Sequence, residues 1–278
     1  MRWLITLALL ATACAAKPAC PIAKPAAHGP AFLWKAQRGG DVVWLYGTIH
    51  MAGLDSVPAA VLDALATSAR LVTELGDVEP DREVFLKYAR IASGPGIDQQ
   101  LPASDWYDLR DALRGRIKEA DLARAKPWYA MSLLTTYLAP DPGPSMDVQL
   151  AKRARELGKP VEPLESWADQ LAVLDGSVTV EDLQETIHAR GTMTCDLARM
   201  RAAYVAGDLA AMEALLLLPR TVELVLTPRN RKWLPVIEEH FMRGGAFVAV
   251  GLGHMLGEDG LVAMLQRAGY TVERTTAR

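Results

Sequence analysis

Two apolar runs near opposite ends of the chain finish in the same way. Val42-Val43-Trp44-Leu45-Tyr46 leads into Gly47-Thr48-Ile49-His50-Met51-Ala52-Gly53, and Ala246-Phe247-Val248-Ala249-Val250 leads into Gly251-Leu252-Gly253-His254-Met255-Leu256-Gly257. A short continuous run rich in β-branched and aromatic residues reads as a buried strand. Each tail then reads G-x-x-H-M-x-G.

The pattern between these runs alternates. Ala31–Ala36 reads as a strand, and Gly39-Gly40-Asp41 as a turn, so a hairpin opens the domain. Pro58 starts a helix over 59–69, followed by a strand over Arg70–Leu75. Residues 82–138 carry helical spacing, broken at Pro95 and Pro102. Pro140–Pro144 reads as a rigid loop, and Ser145 as the N-cap of a helix over 146–157 that Gly158 stops. A short strand over Val161–Glu165 comes next, then helical segments over 180–217 and 229–243. The second histidine strand is followed by a helix over 256–267, a cap at Gly269 and a strand over 270–274. The alternation predicts an α/β fold: a central mixed sheet with flanking helices and a helical insertion in the middle of the chain.

The chain has 278 residues, half of them hydrophobic, enough to bury a sizeable core. Net charge is −3, and no basic stripe stands out, so nucleic acid is not an expected partner. The N-terminus is different in kind. Met1-Arg2 supplies a charge, Trp3–Ala13 is apolar but too short for a permanent span, and Leu10-Ala11-Thr12-Ala13 precedes Cys14. Small residues before a cysteine resemble a bacterial lipobox. Three segments are therefore expected: a lipoprotein-type signal over 1–13, a Pro/Ala-rich tether over 14–30 and one folded domain over 31–278. Cys14 would carry the lipid anchor, with Ala15 after it pointing to the periplasmic side of an outer membrane. Ordinary cleavage after Ala16 and a retained anchor are the alternatives. Export also permits a disulfide between Cys20 and Cys195.

His50, Glu74, Glu165 and His254 each stand at or just after the end of a predicted strand. In open α/β sheets ligands bind outside the carboxyl ends of the strands. Two imidazoles and two carboxylates there can hold a divalent cation, or supply a general base and an orienting acid. A single histidine at a strand end is more often a structural hydrogen-bonder, but the repeated tail favours a shared site. Gly47 and Gly251 are expected to permit a turn, and Gly53 and Gly257 a close approach or a second turn. Arg229 and Asn230 open a predicted helix after Pro228, where an arginine can fix a carboxylate or stabilise an oxyanion. Asp147 suits the positive end of its helix. His28, His188 and His240 read as incidental. The chain has no G-x-S-x-G, H-E-x-x-H or P-loop.

These motifs, together with Val72-Thr73-Glu74, Ser145-Met146-Asp147, Lys159–Ser166, Asp169-Gln170-Leu171 and Arg229–Trp233, resemble the TraB/GumN family. That family is related to the Tiki proteins and, more distantly, to erythromycin esterases and a haem-binding lipoprotein group. The resemblance runs from about Phe32 to Arg274; Ser145 stands where relatives often have glycine. It implies a metal-dependent hydrolase of the peptidase type but supplies no substrate; joined to the N-terminal signal, the expectation is an exported enzyme acting on a peptide or small ester. Manganese, cobalt or zinc would be held by His50 and His254 with Glu74, or else Glu165, the remaining glutamate moving the proton and Arg229 holding the substrate or its oxyanion. Three other readings stay open: a haem- or iron-binding surface lipoprotein, a metal-independent esterase with a histidine base, and an inactive sequestering protein.

Overall fold

A computed structural model describes residues 29–50, 52–76, 78–139 and 144–276. The expected signal segment, Cys14, Cys20 and nearly all of the tether lie outside the described residues, as do Met51 and most of the 140–144 loop. Cys195 is disulfide-bonded.

Strands β1 (Leu33–Arg38) and β2 (Asp41–Thr48) form the expected hairpin. Helix α1 (Ala59–Thr67) returns the chain to β3 (Arg70–Thr73). The helical insertion follows: α2 (Arg82–Ala89), α3 (Ile97–Gln100), α4 (Ala103–Ala112), α5 (Glu119–Ala123) and α6 (Pro127–Leu138). Helix α7 (Met146–Glu156) starts at Ser145, whose hydroxyl accepts from the Val148 N–H, and leads to β4 (Val161–Pro163). Then come α8 (Trp167–Ser177), α9 (Val180–Val205) and α10 (Leu209–Leu216). One helical path carries the chain onward through α11 (Pro219–Thr221), a π-helical turn (Val222–Leu226) and α12 (Thr227–Arg243). Strand β5 (Ala246–Gly251), a 3-10 turn (Leu252–Met255), α13 (Leu261–Arg267) and β6 (Thr271–Arg274) complete the fold.

Two details differ from the sequence reading. The helix bearing Arg229 does not begin after Pro228; it continues from Pro219 through the π turn. Proline lacks an N–H and its ring crowds the carbonyl four residues back. A wider turn just before Pro228 gives that ring room. The helix expected over 256–267 starts only at Leu261, because Gly257 takes a left-handed φ of 76° after the 3-10 turn.

The sheet order is β4-β3-β5-β2-β1-β6. Strands β4, β3, β5 and β2 run parallel, while β1 is antiparallel to both its neighbours. The sheet is therefore mixed, as expected. The two histidine strands are direct neighbours, with Gly47 opposite Val250 and Thr48 opposite Gly251. Residues 246–250 of β5 are buried throughout, which is why that strand reads as an unbroken apolar run. The insertion packs with α9 around its own apolar cluster, including Ile97, Leu109, Leu122, Leu134 and Ile187. Among the described residues, no helix is long and apolar enough to cross a membrane.

Candidate functional site

The parallel strands end together, so the residues that follow them share one edge of the sheet. Glu74 follows β3, Glu165 follows β4, and His50 and His254 follow β2 and β5. Helix α12 brings Arg229, Asn230 and Trp233 to the same place, all three buried.

Arg229 is the hub. Its Nε and NH2 donate to Glu165 Oε1 at 3.0 and 2.5 Å, and NH2 also donates to Glu74 Oε2 at 2.6 Å. The remaining terminal nitrogen, NH1, lies 3.0 Å from His254 Nε2. The guanidinium stacks over the Trp233 ring, 4.5 Å from its centroid, and the Trp233 indole donates to Glu165 Oε2. The Glu74 carboxylate is completed by the Gly251 N–H at 2.8 Å.

Hydrogen-bond accounting fixes the state of His254. Asn230 Nδ2 donates to the carbonyls of His254 and Asp259, so its Oδ1 is the atom 2.7 Å from His254 Nδ1. Nδ1 therefore carries the hydrogen, and Nε2 offers its lone pair to Arg229. Burial pushes the imidazole down to about 3, and the Arg229 charge adds to that despite the opposing Glu74, so the ring is neutral at pH 7. Glu74 moves the other way. Burial opposes its charge, but His254 (once protonated in acid), Arg229 and the Gly251 N–H outweigh burial and hold it at about 2. Glu165 is raised, because burial outweighs its bonds to Arg229 and Trp233.

His50 stands outside this cluster. Its Nδ1 donates to Asp147 Oδ2 at 3.0 Å, and Thr48 donates to Asp147 Oδ1 at 2.6 Å. That bond to Asp147 raises the imidazole, to about 9, although 76% of the side chain is exposed and solvent screening works against the rise. The strand end beneath it is pinned by the Tyr204 hydroxyl, which donates to the Gly47 carbonyl at 2.7 Å. His50, Glu74 and Asp147 line one cavity of about 450 Å³, whose walls include Val78, Val148, Trp167 and Gln170. Glu165, Arg229, Asn230 and His254 do not line it.

Asp147, which the sequence reading weighed chiefly as a helix-end charge, is brought to the cavity beside His50. Its place in the first helical turn explains the residue type adequately, and its partner lies far away in the chain. The Ser145-Met146-Asp147 motif was the only signal. Gly257 makes the second turn expected of it, with a φ of 76°, and Gly47 sits where a side chain would obstruct, though through space rather than φ. Neither Gly47 nor Gly251 has a positive φ. A Cβ on Gly47 would lie 2.4 Å from Leu252 Cδ1 and 3.1 Å from its Cα, so this glycine lets the two histidine loops touch.

A cation shared by His50, His254 and Glu74 does not fit this arrangement. Both His254 ring nitrogens are engaged, and Arg229 already holds the facing Glu74 oxygen. Among the described residues, no group of three His, Cys, Asp or Glu side chains is placed to hold a metal ion.

A family model described as the TraB/PrgY/gumN family matches residues 32–274, nearly the whole chain. No curated protein and no solved structure matches the chain.

Proposed function

The chain belongs to the TraB/PrgY/gumN family, and from that premise we propose that it is a hydrolase whose cavity takes a peptide or small ester. The observation that carries this reading is the His50–Asp147 pair on the cavity wall. Asp147 accepts from Nδ1 and so fixes the tautomer, leaving Nε2 as the basic atom. A histidine oriented by a carboxylate beside a cavity is the standard equipment of general base catalysis. In this reading His50 Nε2 takes a proton from water, and the hydroxide adds to the substrate carbonyl carbon. The tetrahedral adduct expels its nitrogen or oxygen leaving group, which recovers the proton from His50. Glu74 faces the same cavity and stays anionic, which favours the imidazolium formed midway. No step is assigned to a metal. We further propose that the chain is exported and lipid-anchored at Cys14.

The test is hydrolysis of a peptide and ester library by purified protein. His50→Ala should lose ~10²–10⁴-fold in rate with no loss of fold, since the side chain is exposed. The base must be neutral, and Asp147 raises it, so kcat/KM should climb with pH through an apparent pKa above the ordinary 6.5. Asp147→Asn should move that limb back towards 6.5 and lower the plateau. Full turnover by His50→Ala would sink the proposal.

A further inference from the structure

We propose that Arg229 is a built-in substitute for a metal ion: its guanidinium keeps Glu74, Glu165 and His254 spread too widely to share an ion as they stand, and fills the place a divalent cation would take if they closed inward. The donor set is one that zinc uses: two carboxylates and a neutral imidazole. All three side chains direct an acceptor atom at the terminal nitrogens of one guanidinium, at 2.6, 2.5 and 3.0 Å. His254 even has the support typical of a metal ligand, since its other nitrogen is locked by a hydrogen-bond partner, Asn230. The lone pair so prepared meets arginine.

Three features make the substitution permanent. Arg229 keeps its charge at any pH the fold survives. Its side chain is only 7% exposed and stacked on Trp233, so it cannot swing into solvent without dismantling the cluster. A metal ion added beside it would meet a fixed positive charge among donors already bonded. The consequence is a Glu74 that stays ionised in the cavity wall whatever metals surround the protein. Arg229 does not line the cavity, so it is a positioning residue that acts through Glu74.

The readout is metal binding, so this inference and the hydrolase reading can fail separately. Wild type, His254→Ala, Arg229→Ala and the double variant would be desalted after exposure to zinc, manganese or cobalt. Bound metal would be counted by mass spectrometry, and melting temperature followed with and without zinc. Wild type should give the same metal content as His254→Ala, and nitrogen NMR should show His254 as the neutral Nδ1–H tautomer, unmoved by zinc. Arg229→Ala should gain about one equivalent of zinc and a higher melting temperature with it, both lost on adding His254→Ala. One equivalent of metal in wild type that disappears in His254→Ala would overturn the proposal, and so would a folded Arg229→Ala that gains none. If Arg229→Ala does not fold, the wild-type comparison and the NMR decide alone.

Discussion

His254 carries the largest gap between motif and role. Its surroundings repeat those of His50, yet one ring is exposed beside a carboxylate and the other is buried neutral against a guanidinium. Burial has a pH consequence. The folded ring titrates near 3, against 6.5 for an ordinary histidine, so between those values the unfolded chain binds a proton that the folded one refuses. Stability must therefore fall as pH drops below 6.5. Glu74 works in the same direction further down: its stabilisation is full above 4.5 and is lost as pH falls towards 2. Melting temperature should decline from pH 6.5 downwards, and His254→Gln should flatten the upper part of that decline. A variant profile parallel to wild type down to pH 4.5 would contradict the assignment of His254 as neutral. The strand-end positions of all four residues were legible in the sequence, because apolar runs and the polar residues that follow them are local features. Their division into a buried cluster and an exposed dyad was not. It depends on Arg229 and Asp147, which reach the site from helices distant in the chain.

Strands β2 and β5 meet through a contact that leaves no space for a side chain. Replacing Gly47 with alanine would drive a methyl against Leu252, including its Cα. Overpacking of this kind costs about 1–3 kcal/mol, read as a lower melting temperature. Gly40→Ala should be near neutral, since nothing lies within 4 Å of a Cβ there. Equal melting temperatures for the two variants would show that the loops yield freely. At this scale the sequence was informative wherever its signals were local. Ser145, Gly158 and the hairpin turn mark element ends through capping and turn chemistry, and the structure follows them. The approach to α12 was misread for the same reason. Pro228 looks like a helix start, and only the π turn, a distortion with no residue signature of its own, lets the helix pass through it.

The whole molecule is a sheet with its site at one edge and a helical insertion built on a second apolar cluster. The proposed membrane anchor belongs to the N-terminal segment, outside the described residues. If Cys14 is acylated, labelled fatty acid should enter wild type but not Cys14→Ser, and the variant should leave the membrane fraction of a bacterial host. Unlabelled wild type would rule out the anchor. The sheet order has a further consequence, for the order of assembly. Strand β5 lies between β3 and β2, yet follows both by most of the chain's length. While the polypeptide is being made, β2 and β3 have no partner between them, and long-range parallel pairing of this kind is slow to form. A chain released before residue 246 cannot join its two halves across the sheet, so it should be a target for proteolysis rather than a partly working protein. Synthesis of residues 246–254 supplies the strand that joins β2 to β3 and His254 with it, so joining the sheet is also what assembles the site.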